Sequence, residues 1–256
     1  LGAAAILGIG IAALFFFVTV SSRDAPPPRV ADLSVTRPDV PPAENAYSVF
    51  AAAADRIDIP ANGSILVDYL HESDPSESQI ENVLQRNEPV FQLIEEGLTR
   101  PILLGPEITG FDTPLPHIAD WRTIARLMAV RARHQRRSGQ IGDAADTCIT
   151  LLSFADMGAK RPSGIVGYLV NVAILHIGLE QVRDLARDPR VTAANLSALA
   201  RALDTLSPND ASLIHAIKLE YRVAADAVDG FASGALDPRN VMAVNDAKPP
   251  PPLKQR

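Results

Sequence analysis

Residues 117–158 read "HIADWRTIARLMAVRARHQRRSGQIGDAADTCITLLSFADMG", two helical periods joined by Ser138-Gly139-Gln140. In the first, Trp121, Ile124, Leu127, Met128 and Ala132 recur at spacings of three, three, one and four residues, so at ~100° per residue they fall on one side. The second begins at Ile141 and keeps its apolar residues on one side through Leu152. A connection this short forces the second helix back along the first, as antiparallel neighbours. The same grammar continues outward. It predicts helices over about 163–187, 192–206 and 210–233, separated by "AKRPS", "DPRV" and "LSPND".

Upstream, Tyr47, Phe50, Ala51, Ala54 and Ile57 give a first amphipathic helix, which "DIPANGS" ends. A second starts near Asp74-Pro75, where Asp74 caps and Glu77 completes a capping-box spacing. It runs to about Leu98 with a break at Pro89, because proline lacks the donor a helix interior needs. Residues 99–116, rich in Pro and Gly, read as a long ordered loop. No alternating strand pattern occurs, and with few aromatics (5%) and abundant Ala the fold expected is all-α: antiparallel helical hairpins around one core.

The ends of the chain differ in kind. Residues 1–20 contain no charge and are long enough, at ~1.5 Å per residue, to cross a ~30 Å hydrocarbon layer, so a single N-terminal transmembrane anchor or uncleaved signal is expected. Residues 21–43 are proline-rich and read as a semi-stiff tether. The helical domain then occupies 44–236, and 237–256 reads as a disordered tail. The expected location is the inner membrane, single-pass, with the helical domain on the exported, periplasmic side. The helix "GIVGYLVNVAILHIGL" (164–179), apolar nearly all round, is short for a second span and carries Asn171 and His176. It reads instead as a buried central helix, with Gly164, Gly167, Asn171 and Gly178 in one narrow stripe where a neighbour can approach closely.

Composition excludes several function classes. A net charge of −6 gives no nucleic-acid signature, and a single cysteine, Cys148, allows neither an internal disulfide nor a Cys-rich metal cluster. No Gly-x-Ser-x-Gly or Ser-x-x-Lys occurs, and no phosphate-cradling loop follows a strand. No catalytic residue and no cofactor is expected.

The densest chemical feature is basic. Arg122, Arg126, Arg133 and Arg137 fall within about 60° of one another on the first helix, a candidate patch for an anionic partner surface. The competing reading is internal neutralisation, since Asp68, Glu72, Asp74, Glu77, Glu81, Glu88, Glu95, Glu96, Glu107 and Asp112 crowd residues 68–112 against Arg86 and Arg100. Arg131 lies on the apolar side, and burial there demands a carboxylate or carbonyl partner. His176 and Glu180, four residues apart, are two weak candidate metal ligands and the centre of an alternative reading, an envelope enzyme with an inter-helix site for metal-assisted hydrolysis.

The segments "LPHIADWRTIARLMAVRARHQRRSGQIGDAADTCITLLSFADMG" and "PSGIVGYLVNVAILHIGL" resemble a group of bacterial envelope proteins with an N-terminal anchor and an all-helical domain. That resemblance implies fold and location, and no activity. "AVRARHQRRSGQIGDAADTCITLL" is also similar to one tetratricopeptide-type hairpin, with Ala132 and Ala144 as its small packing positions; no second copy follows at a 34-residue period. The function expected is a membrane-tethered interaction or scaffold module, its partner an envelope protein or an anionic surface.

Overall fold

The computed structural model describes residues 33, 35–60, 64–71, 75–108, 110, 113, 115, 117–161, 163–206 and 210–235. The expected anchor 1–20, most of the tether 21–43, the tail 237–256 and the expected cap Asp74 lie outside the described residues. The chain divides into two units, Leu1–Ser34 and Val35–Arg256. The helices of the second unit are α1 (Tyr47–Ala54), α2 (Ser64–Leu70), α3 (Glu77–Arg86), α4 (Glu88–Leu98), α5 (Ile118–Arg137), α6 (Ile141–Lys160), α7 (Gly164–Ala186), α8 (Ala193–Thr205) and α9 (Asp210–Ala232). Among the described residues there is no strand, only an isolated bridge between Asn45 and Ile102. The fold is all-α.

Helix ends fall where local chemistry puts them. The expected break near Pro89 sits at Asn87, with Pro89 in the first turn of α4. Asn87 is fully buried; its Nδ2 donates to Val83 O (2.8 Å) and Asp58 O (2.7 Å), while its Oδ1 accepts from the Asp58 N–H (2.9 Å). α3 starts two residues later than the spacing of Asp74 and Glu77 implies. Its N-cap is Ser76, whose N–H donates to Gln79 Oε1 at 3.0 Å. α8 opens on the same device, with Thr192 Oγ1 accepting from the Asn195 N–H at 3.2 Å.

Two features depart from the local sequence pattern. α2 forms between the "DIPANGS" break and the next expected helix, where the sequence pattern assigns no element, because Leu66 and Tyr69 bury against α5. The segment after α4 is pinned to the start of α1: Ala46 N–H donates to Ile102 O (2.8 Å), and the Asn45 side chain holds Leu104 through both its N–H and its C=O (3.0 and 2.9 Å).

α5, α6 and α7 pack pairwise as the centre of the domain; α1 and α4 pair beside them, α8 lies on α6 and α9 on α7. The expected single core divides into two clusters. The larger joins α1 to α7 and contains a run of edge-on rings, Tyr47–Trp121 (6.0 Å), Trp121–Phe154 (6.4 Å) and Phe50–Phe154 (5.0 Å). The smaller holds Ala132, Ile141, Ala144, Cys148, Leu152, Val182, Leu185 and Leu199, with Leu175 packed against both. Ala132 of α5 and Ala144 of α6 both belong to this smaller cluster.

α7 does not match the expectation of a buried central helix. Its small-residue stripe is buried against α6, as Gly178 and the Asn171–Gly158 contact show. Its opposite side carries Val166, Leu169, Val172 and Leu179 exposed, Leu169 at 58%. The reason is arithmetic: α5, α6 and α9 cover only part of its circumference. α7 is also the one helix among the described residues long and apolar enough to cross a membrane, by length and composition alone.

Candidate functional site

The four clustered arginines of α5 divide into two pairs. Arg133 is 5% exposed and donates through Nη1 to Leu70 O at 2.9 Å, its guanidinium 5.8 Å from the Tyr69 ring. Arg137 donates to Glu77 Oε1 (3.2 Å) and lies 4.9 Å over the same ring. Both hold α2 and α3 onto α5. Arg122 is exposed and Arg126 half-buried, and neither has an ion pair among the described residues. Partial burial, and then the Arg122 charge one turn away, keep Arg126 below the usual arginine range.

Glu77 is the node of the internal pairing. It meets His134 Nδ1 at 3.0 Å, Arg137 at 3.2 Å and the Tyr69 hydroxyl at 3.3 Å. Burial pushes its carboxyl up, but the hydrogen bonds from His134, Arg137 and Tyr69 outweigh that and hold it below the ordinary value of 4.5. Arg131 finds the expected carboxylate in Glu88 (3.7 Å), with its guanidinium 4.5 Å over the Phe91 ring. Acidic α3 and α4 thus neutralise much of one side of α5.

His176 and Glu180 lie 3.6 Å apart on the open side of α7, and the His176 side chain is 73% exposed. They are not between helices, and among the described residues no group of three His, Cys, Asp or Glu side chains converges as a metal site would need. Cys148 is buried, and burial pushes its thiol up to about 12 despite the nearby Arg136, which lowers it. A thiol so protonated is no nucleophile.

A cleft that sequence spacing did not reveal lies where the segment after α4 meets α7 and α9. Arg37, Arg161, His215 and Arg222 line it above Leu104, Ile108 and Leu219. Arg37 and Arg222 each donate to a backbone carbonyl of its wall, Gly105 O at 2.7 Å and Ile108 O at 2.8 Å. His215 is half-buried here. Burial first, then the charges of Arg161, Arg222 and Lys218, lower its pKa. These four residues come from three separate stretches of chain, so no local motif marks them.

The largest chemical anomaly is apolar. Val166, Leu169 and Val172 on α7, and Ile214, Ile217, Tyr221 and Val228 on α9, are exposed in runs, whereas on α8 Leu196 alone is exposed. Scattered exposed apolar residues are ordinary, whereas runs of them at helical spacing on neighbouring elements mark contact surfaces.

Comparison with known proteins yields no matching family model, curated protein or solved structure.

Proposed function

We propose that the chain is a membrane-tethered helical interaction module of the bacterial cell envelope, without catalysis. Residues 1–20 hold it to the inner membrane, and the tether beyond them lets the helical domain reach a partner on the exported side. The observation that carries this reading is the exposed aliphatic row on α7, Val166, Leu169 and Val172, on a helix whose other side is buried in the core. Apolar residues at the centre of a contact are what drive association, while charged residues belong at its rim. Arg122 and Arg126, which no carboxylate among the described residues engages, remain available for an anionic partner surface. His176 and Glu180, open to solvent, fit the polar rim of such a contact.

Affinity capture of the full chain after mild crosslinking in its own membranes tests this, wild type against Leu169→Glu with Val172→Glu. One near-stoichiometric envelope partner is expected with wild type and is lost with the variant, whose helical circular dichroism stays unchanged. Recovery unaffected by the variant, or no partner from wild type, overturns the reading.

A further inference from the structure

α9 has two apolar faces, and among the described residues only one of them is buried. Ser212, Ala216, Leu219 and Val223 are buried on the side toward the rest of the domain. On the opposite side Ile214, Ile217, Tyr221, Ala224 and Val228 recur at spacings of three and four, and Phe231 continues the pattern. Ile214, Ile217 and Val228 are 50%, 49% and 64% exposed. Alternating spacings of three and four, an average of 3.5, define the seam of a coiled coil, in which apolar residues meet a facing helix. After Val223 no residue of α9 is buried at all, yet the helix runs on to Ala232. A helix end with no fully buried residue gains little from its own chain, because helices in proteins are held mainly by the face they bury.

We propose that α9 of a second copy of this chain closes this seam, running antiparallel about a two-fold axis that passes between Arg222 and Val223. This rests on the reading of the chain as an interaction module and names one partner. The seam is complementary to itself in that sense alone. Antiparallel alignment sets Ile217 on Val228 of the second copy and Tyr221 on Ala224 of the second copy, each pair occurring twice, as an isologous contact requires. The bulkiest inner residue thereby meets the smallest. Ile214 falls opposite Phe231 at either end, closing a seam about 26 Å long at ~1.5 Å per residue. Parallel alignment would set Tyr221 against Tyr221 and leave Ala224 against Ala224, a clash beside a gap.

The flanking charges agree. Lys218 and Asp229 border the seam on the same side, about 20° apart on the helical wheel. Antiparallel pairing brings Lys218 of each copy beside Asp229 of the other, while parallel pairing would place these flanks on opposite sides of the seam, out of reach of one another. Charges at these bordering positions set orientation rather than affinity.

Cysteine pairs read the geometry directly, since the native Cys148 is buried and spared. Under mild copper-catalysed air oxidation in native membranes, the double variant Ile217→Cys with Val228→Cys is expected to form a disulfide-linked dimer. Neither single variant is expected to do so, because equivalent positions lie eleven residues apart along the axis, about 16 Å. Tyr221→Glu added to the double variant is expected to abolish the product while leaving the helical content unchanged. Crosslinking of either single variant, or none by the double variant, overturns the proposal. If the double variant fails while the capture experiment still yields an envelope protein lost with Leu169→Glu and Val172→Glu, the second copy is the wrong occupant and the interaction reading stands.

Discussion

Asn171 on α7 donates through Nδ2 to Gly158 O on α6 at 3.0 Å and to Gly167 O one turn back at 2.8 Å. The contact exists because Gly158 has no side chain: a Cβ there would collide with the Asn171 amide. Gly158→Ala is therefore expected to destabilise the domain by about 1–3 kcal/mol, as overpacking against a fixed polar group does. Gly142→Ala, in the first turn of α6 with open space around it, is expected to stabilise by about 0.5–1 kcal/mol through helix propensity. Thermal unfolding of the two variants checks the pair, and equal shifts would show that the α6–α7 approach is not set by Gly158.

Glu77 ties α3 to α5 through His134 and Arg137, and its carboxyl is held below 4.5 once the opposing burial is outweighed. Because the folded pKa is depressed, its contribution is present above the unfolded value and is lost as pH falls through the folded one. Glu77→Gln is expected to cost about 1 kcal/mol at pH 7, a modest figure since the side chain is half exposed. That difference from wild type should close below pH 4 in denaturant titrations. A pH-independent difference would place the loss in packing instead.

These two contacts also show what was legible in the sequence. The small-residue stripe that includes Asn171 follows from ~100° per residue, so the close α6–α7 approach was readable. The break at Asn87 and the α5–α6 turn were readable for the same reason, since Pro89 and Ser138-Gly139-Gln140 act locally. α2 was not: seven residues hold too little periodicity to stand out, and its reason is Tyr69 packing under Arg133 and Arg137, residues distant in the chain. The open side of α7 was hidden for a different cause. A helix apolar nearly all round reads as buried, but exposure depends on how many neighbours arrive, which no residue of the helix encodes. The cleft around His215 needs Arg37, Arg161 and Arg222 brought together by tertiary folding alone.

The arginines of α5 should respond in opposite ways. Arg133→Glu removes the bond to Leu70 O and leaves a carboxylate in a site 5% exposed, so a loss of about 3–5 kcal/mol is expected. Arg126→Glu replaces a like-charge pair with Arg122 by an opposite one at the same i,i+4 spacing, and a gain of a few tenths, up to about 0.5 kcal/mol, is expected. Urea midpoints of the two variants check this. Equal losses would mean that Arg126 is as much a structural group as Arg133.

Asn87 offers the sharpest test of how the α3–α4 break is held. Its amide serves three backbone groups, accepting from the Asp58 N–H and donating to Asp58 O and Val83 O, in a place without solvent. Asn87→Ala orphans all three, each worth about 1 kcal/mol or more when buried, so a loss of about 3 kcal/mol is expected. Asn87→Asp separates shape from hydrogen bonding. Its carboxylate still accepts from the Asp58 N–H but faces two carbonyl oxygens, which together with burial raises its pKa above the unfolded ~3.9. A raised folded pKa favours the folded state at low pH and penalises it as pH rises through that value. Asn87→Asp should therefore fall far short of wild type at pH 7 and approach it between pH 5 and pH 4, whereas the deficit of Asn87→Ala stays constant over the same range. Parallel deficits for the two variants would show that the break is held by Pro89 and the packing of Val90, with the Asn87 amide incidental.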